Sequence, residues 1–352
     1  MTDSGEIWIL GATGRTGRAI AELLTAQGLT PTLVGRDRER LRKTGLAGPI
    51  VVADGVASIA AEITRQRPRV VVNTIGDYGA TATTIARAVM PGGHYVDLAA
   101  DLVAIPRLLA LHEDAVAAGS TLVTGAGFGV LATEALVAAL CAGRPIPHRV
   151  QVDALASVAS EGGAMGTAFA ASIIDVLTTG GRRYENGRLT KSRLGAGSRQ
   201  ITLPDGETVP AMAVPSGELH AAHAASNAPF VVATSSLGSI SPAVRALLPI
   251  LRVLLSVPAL HRRAIARIAR IEFKAAPRPR AHSWGHATIE WPDGTEREGW
   301  LRAGEGMDYT AAVVAEVAAR LARGEAKPGA GTPAATFGPD LATVDGATFI
   351  LD

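Results

Sequence analysis

Along the first 124 residues, short apolar runs alternate with longer stretches whose polar positions recur at helical spacing. IWIL, PTLV, PIVVA, RVVVN, HYVDL and TLVTG read as strands. RTGRAIAELLTAQG, RERLRKTG, VASIAAEITRQ, ATTIARAVM and LVAIPRLLALHEDAVAAG read as the helices between them. Strands that are apolar throughout are buried on both faces, and their alternation with helices means parallel βαβ units. The pattern predicts a doubly wound parallel sheet.

Beyond residue 125 the pattern changes. HRVQVDALASV reads as a strand and MGTAFAASIIDVLTTGG as a helix stopped by glycines. YENGRLTK holds an Asn-Gly hairpin signal, and a second hairpin is predicted around Pro292-Asp293-Gly294. MDYTAAVVAEVAARLARGE gives a late amphipathic helix. The predicted class is α/β: a Rossmann domain over 1–125, completed by 305–352. An inserted α+β domain over 126–304 contains an antiparallel sheet.

The 352 residues suffice for two domains. A net charge of +2 creates no field that argues for nucleic acid. The single Cys141 excludes an internal disulfide framework, and no basic, apolar leader is evident, so a cytoplasmic protein is expected. Residues 242–273 are strongly apolar, but the uninterrupted apolar stretch after Arg252 is broken by Pro258 and is too short to span a bilayer. Within them, HRRAIARIARI sets arginines opposite isoleucines. Two readings follow: a helix pair burying one face in the core or a dimer interface, or a helix lying on a membrane surface.

The most informative chemistry lies in the first βα turn, Gly11-Ala12-Thr13-Gly14-Arg15-Thr16-Gly17. Gly11 permits a sharp turn, Gly14 lets backbone N–H groups approach a pyrophosphate, and Gly17 lets the helix pack closely on the sheet. The helix start supplies N–H donors and a favourable dipole. After the second strand stands Arg36, where an NAD site places an acid, so NADP(H) is the expected cofactor. Asp54 after the third strand is expected to meet the adenine amine or to cap a helix. Asn73, Thr74, Ile75 and Gly76 after the fourth strand, with Gly127 and Phe128 further on, are expected along the nicotinamide end. Tyr78 and Asp101 are the candidate proton donors, the alternatives being an aromatic cap on the sheet and a helix cap.

His220 and His223 have a spacing that suits a metal but lack a third ligand cluster, so no metal is expected. Arg182, Arg183, Arg188, Lys191, Arg193 and Arg199 suit either a solvated basic region or a dock for carboxylates or an acidic carrier. The apolar helices of the second domain favour a hydrophobic substrate. The reading is an NADPH-dependent reductase acting on an activated C=C or C=O of a lipid- or polyketide-like small molecule, carrier-bound or free. Imine reduction and a non-catalytic NADP-sensing regulator remain as alternatives.

Four stretches carry a family resemblance: GATGRTGR, VGRDRERL, NTIGDYGATATTIARAVMPGGHYVDLAAD and the tail GTPAATFGPDLATVDGATF. They resemble the saccharopine dehydrogenase-like reductases, a family that includes trans-acting enoyl reductases. Asp77 replaces the family's usual Pro, and Gly129 stands where Asp is usual. The resemblance implies a Rossmann domain closed by a C-terminal return, NADPH as hydride donor, and often a homodimer. The rival is the short-chain dehydrogenase group, whose reductases use a Tyr with Lys four residues on. Here Tyr78, Tyr95, Tyr184 and Tyr309 are followed at that spacing by Ala82, Ala99, Arg188 and Val313.

Overall fold

The computed structural model describes residues 6–352 except 161, 196–197, 237–250, 252–253 and 256. The chain divides into two compact units. Met1–Leu131 with Met307–Gly346 form the first, and Ala132–Gly306 with Ala347–Asp352 form the second.

The first unit is built on a parallel sheet. Its strands β1 (Ile7–Leu10), β2 (Thr32–Gly35), β3 (Ile50–Val52), β4 (Val70–Asn73), β5 (His94–Asp97) and β6 (Thr121–Val123) coincide with the six apolar runs. Gly329–Gly331 adds a seventh strand beside β6, giving the order 329–331, β6, β5, β4, β1, β2, β3. The order reverses between β4 and β1, which are direct neighbours that both begin a chain excursion to opposite edges. Trp8, Leu10, Val34, Val71, Tyr95 and Leu122 lie in one buried cluster of this unit. Helix α1 (Arg15–Ala26) buries Gly17, Ile20, Ala21 and Leu24, one stripe at helical spacing.

The second sheet has nine strands. Its main path runs 188–191, 182–185, 230–235, 149–155, 283–290, 296–303, 348–351. It is mixed, not purely antiparallel: Phe230–Ser235 pairs in parallel with Arg149–Leu155. The helices and hairpins between those two strands provide the long crossover that a parallel pair requires. Both predicted hairpins form. Asn186 (φ 52) and Gly187 (φ 71) take the two left-handed positions of a tight turn. Asp293 accepts from the Thr295 N–H at 2.9 Å to close the other.

Three boundaries differ from expectation. Residues 305–352 do not all return to the first unit, because Thr348–Leu351 pairs with Glu296–Ala303 in the second sheet. The passage at 125/126 is carried instead by a helix, Phe128–Cys141, which enters the second unit at Ala132. Of residues 242–273, part lies outside the described residues, and the described helix Pro258–Ile268 has no fully buried residue. One stripe of it, His261, Ala264, Ile265, Ile268 and Ala269, is half-buried.

Beneath the hairpin of Arg199–Thr202 and Thr208–Ala213 lies a fully buried carboxylate, Asp153. It accepts from His286 Nδ1 at 2.6 Å, from Arg199 Nη2 at 2.6 Å and from the Thr234 hydroxyl. His286 Nε2 meets Glu298 Oε1 at 2.9 Å, and the ring stacks on Trp300 with centroids 4.0 Å apart. Burial raises the Asp153 pKa, but the hydrogen bond and charge of His286, then the charge of Arg199, outweigh it and hold the carboxyl below its ordinary value. A lowered carboxylate pKa adds stability above the unfolded value near ~3.9, which is lost as pH falls through the folded value. Asp153→Asn should destabilise the second unit by about 3–5 kcal/mol, since it removes the buried charge to which Arg199 and His286 are bonded. It should also flatten the loss of stability below about pH 4. Tryptophan fluorescence reads this unit, which holds Trp284, Trp291 and Trp300 of the chain's four. A variant as stable and as acid-sensitive as wild type would contradict the assignment.

Candidate functional site

Because β1 to β6 are parallel, their carboxyl ends lie along one edge of the sheet. In spatial order that edge carries Asp54 (after β3), Arg36 (after β2), the glycine turn (after β1), Asn73–Gly76 (after β4), Asp97 to Asp101 (from β5) and Gly127–Phe128 (after β6). Strands stand about 4.8 Å apart, so β3 to β5 spans about 19 Å. The reversal point between β1 and β4 sits near the middle, where ligands bind in such sheets.

The turn is fixed by backbone bonds. Gly11 N–H donates to Val34 O at 3.0 Å, and Gly14 N–H donates to Gly11 O at 2.9 Å. Gly11 has φ +80, a conformation that disfavours a side chain, and a Cβ there would stand 2.8 Å from Thr74 Oγ1. A Cβ on Gly17 would lie 2.5 Å from Gly11 O and 3.0 Å from Ala12 Cα, so α1 sits directly on the turn. No side chain caps α1 at Gly14. By contrast, Asp37 caps the next helix, accepting from Glu39 and Arg40 N–H at 2.9 and 3.1 Å. An uncapped helix start behind a glycine cradle is the arrangement that accepts a phosphate group.

At the β2 end, Arg36 is exposed and has no ion-pair partner among the described residues. Asp54 occupies the cap position before helix Gly55–Gln66, yet its side chain makes no capping bond. At the β4 end the structure shows which side chains are already committed. Asn73 is fully buried, donating to Tyr95 Oη at 2.9 Å and accepting from Ile75 N–H at 3.2 Å. Thr74 Oγ1 donates to Leu10 O at 2.7 Å, tying β4 to β1. These two shape the loop instead of facing outward; Ile75 is half-buried and Gly76 takes φ +75. Phe128 is buried edge-on against Tyr309, centroids 5.7 Å apart, so its ring packs in the core while its N–H donates to Thr310 Oγ1 at 3.1 Å. Gly127 keeps ordinary contact distances to its neighbours.

At the end of β5 stands Asp97, whose partners come from other strands and from its own loop. It is fully buried and accepts from Tyr95 Oη (2.9 Å), Thr124 Oγ1 (2.8 Å), Ala99 N–H (3.0 Å) and Gly125 N–H (3.2 Å). Burial raises its pKa although every one of these donors opposes the shift. Asp101 Oδ1 accepts from Val103 and Ala104 N–H at 2.9 and 2.6 Å, so it caps helix Ala104–Leu109. Tyr78 begins the helix after β4, half-buried against the apolar cluster. Burial first, then the charges of Asp97 and Asp101, hold its phenol well above the usual tyrosine pKa.

These loops match a known domain. Residues 7–123 fit the family described as the saccharopine dehydrogenase NADP binding domain. The match lies wholly within the first unit. NADP(H) is accordingly its cofactor. The whole chain resembles apo saccharopine dehydrogenase (L-Glu forming) from Saccharomyces cerevisiae, with a TM-score of 0.61 at 11% identity, covering 99% of this chain and 100% of that one. At that identity the likeness establishes the architecture. Serine dehydrogenase from Escherichia coli aligns with 34% of this chain and 80% of its own, at 18% identity and TM-score 0.29. A metagenomic short-chain oxidoreductase in complex with NADP aligns with 35% and 82%, at 20% identity and TM-score 0.30. No curated protein matches the chain.

In the second unit, the histidine pair is occupied otherwise: His220 Nδ1 meets Tyr184 Oη at 2.8 Å, and His223 Nδ1 meets Ala228 O at 3.0 Å. Among the described residues no cluster of three or more His, Cys, Asp or Glu side chains could hold a metal. Gly17→Ala should abolish tight NADPH binding and cost the first unit about 1–3 kcal/mol, because the clash is with backbone that has little room to yield. Isothermal titration with NADPH and NADH tests Arg36→Ala. Losing a charge-assisted pair to the 2′-phosphate should weaken NADPH about 10- to 100-fold and leave NADH nearly unchanged. Equal weakening of both would remove Arg36 from that role.

Proposed function

We propose that the protein is an NADPH-dependent reductase of an activated C=C or C=O in a hydrophobic, lipid- or polyketide-like small molecule. The dinucleotide would lie across the carboxyl edge with its adenosine end by Arg36 and Asp54. Its pyrophosphate would rest on the turn from Gly11 to Gly17, with Ala12, Thr13, Arg15 and Thr16 completing that cradle. Bound NADPH supplies the hydride.

The protein's own contribution is to hold the acceptor carbon near the β4 and β5 ends and to deliver a proton. The observation that carries the reading is the position of Tyr78, a phenol at the start of the helix after β4, on the carboxyl edge of the sheet. A neutral phenol can donate a hydrogen bond to a carbonyl oxygen and follow it with the proton as negative charge develops. Asp101 serves as a helix cap, so Tyr78 is the stronger candidate of the pair. The apolar preference rests on how the second unit's cations are used. Arg199 is engaged by Asp153, and Arg183 pairs with Glu185 at 3.2 Å, leaving fewer charges to receive a substrate with several carboxylates.

The deciding experiment follows NADPH oxidation against enones with enoyl thioesters, oxo acids with amines, and simple ketones or aldehydes. Turnover with the first or third panel supports the proposal. Turnover confined to oxo acids with amines makes the enzyme an imine reductase, and NADPH binding without turnover favours a sensor. On an active substrate, Tyr78→Phe should lower kcat about 10²- to 10⁴-fold with little change in KM. Because the phenol is raised, the wild-type rate should not fall from Tyr78 ionisation until the pH exceeds the ordinary value of 10.0. A Tyr78→Phe variant with wild-type kcat would refute the assignment.

A further inference from the structure

The helix Pro258–Ile268 presents an unusual surface. His261, Ala264, Ile265, Ile268 and Ala269 form a half-buried stripe at helical spacing. The helix packs beside Thr167–Thr179, and its continuation, Glu272–Phe273, pairs with Gly163–Ala164. The opposite face is basic. Arg262, Arg263, Arg267 and Arg270 are exposed, and among the described residues none of them has an ion-pair partner. From Pro258 to Lys274 there are five cations and one acid, Glu272.

The same segment concentrates exposed apolar side chains. Leu254, Val257, Leu260, Ile271 and Phe273 are 37–48% exposed and account for five of the 13 large hydrophobics exposed among the described residues. They stand at the two ends of the arginine face, in a stretch of some twenty residues. A charge-only partner would gain nothing from them, and an apolar protein partner would leave the arginines unneutralised. A surface with anionic groups above hydrocarbon satisfies both, since arginines snorkel to phosphates while flanking apolar side chains enter the acyl boundary.

We propose that Leu254 and residues 257–274 form a docking surface for an anionic phospholipid membrane, on which the helix lies flat. No helix among the described residues is long and apolar enough to cross a membrane, so the contact is peripheral. The inference stands on this segment alone and does not need the reductase reading.

The test is co-sedimentation of the full chain with vesicles of phosphatidylcholine alone and with vesicles that include phosphatidylglycerol. Binding should require the anionic lipid and weaken at high ionic strength. Each arginine contributes a factor of roughly five near such a surface, so Arg263→Gln/Arg267→Gln/Arg270→Gln should weaken partitioning about 100-fold. Leu260→Ser/Phe273→Ser should weaken it as well, through loss of inserted apolar surface. NADPH affinity and circular dichroism of both variants should match wild type, which separates lost docking from lost folding. Absence of binding to anionic vesicles, or equal binding to neutral ones, would overturn the proposal. So would arginine dependence without any effect of the apolar variant, which would mark a purely charged partner.

Discussion

One buried carboxylate holds the working edge of the first unit in shape. Asp97 ends β5 and gathers donors from β6 through Thr124 and Gly125, and from its own loop through Ala99. Through Tyr95 it also reaches Asn73 at the end of β4. Three adjacent strands are thereby tied at their carboxyl ends, where the loops of the edge begin. Burying a carboxyl is costly unless its acceptor positions are filled, and here four donors fill them. The glycine turn depends on the same scaffold, because Thr74, next to Asn73, reaches Leu10 and closes against Gly11.

Much of this edge was legible in the sequence because its signals are local. The six buried strands read as unbroken apolar runs, Gly11 and Gly17 stand where a Cβ would clash, and the two hairpins declare themselves through turn chemistry. What was not legible depends on partners far along the chain. Asn73, Thr74 and Phe128 stand beside the cofactor edge, but whether their side chains face outward is decided by Tyr95, Leu10 and Tyr309. Asp101 left a choice between acid and cap, and two N–H groups settle its present use.

Two elements escaped because they lack a pattern. The helix Phe128–Cys141 is apolar on nearly every side and mostly buried, so no polar stripe reveals a helical period. The strand Gly329–Gly331 is Gly-Ala-Gly, with almost no side chain to alternate. The parallel pair in the second sheet is likewise invisible locally, since strand direction follows from the length and path of the connection.

The way the two sheets share the chain has a consequence for biosynthesis. The first sheet receives its seventh strand from Gly329–Gly331, and the second receives its edge strand from Thr348–Leu351. Neither sheet can therefore be finished while the chain is still being translated through its first three hundred residues. Until those last strands arrive, β6 and Glu296–Ala303 are each paired on one side only and offer open strand edges. Yield in a cell should depend on how long those edges wait, a kinetic burden imposed by topology alone.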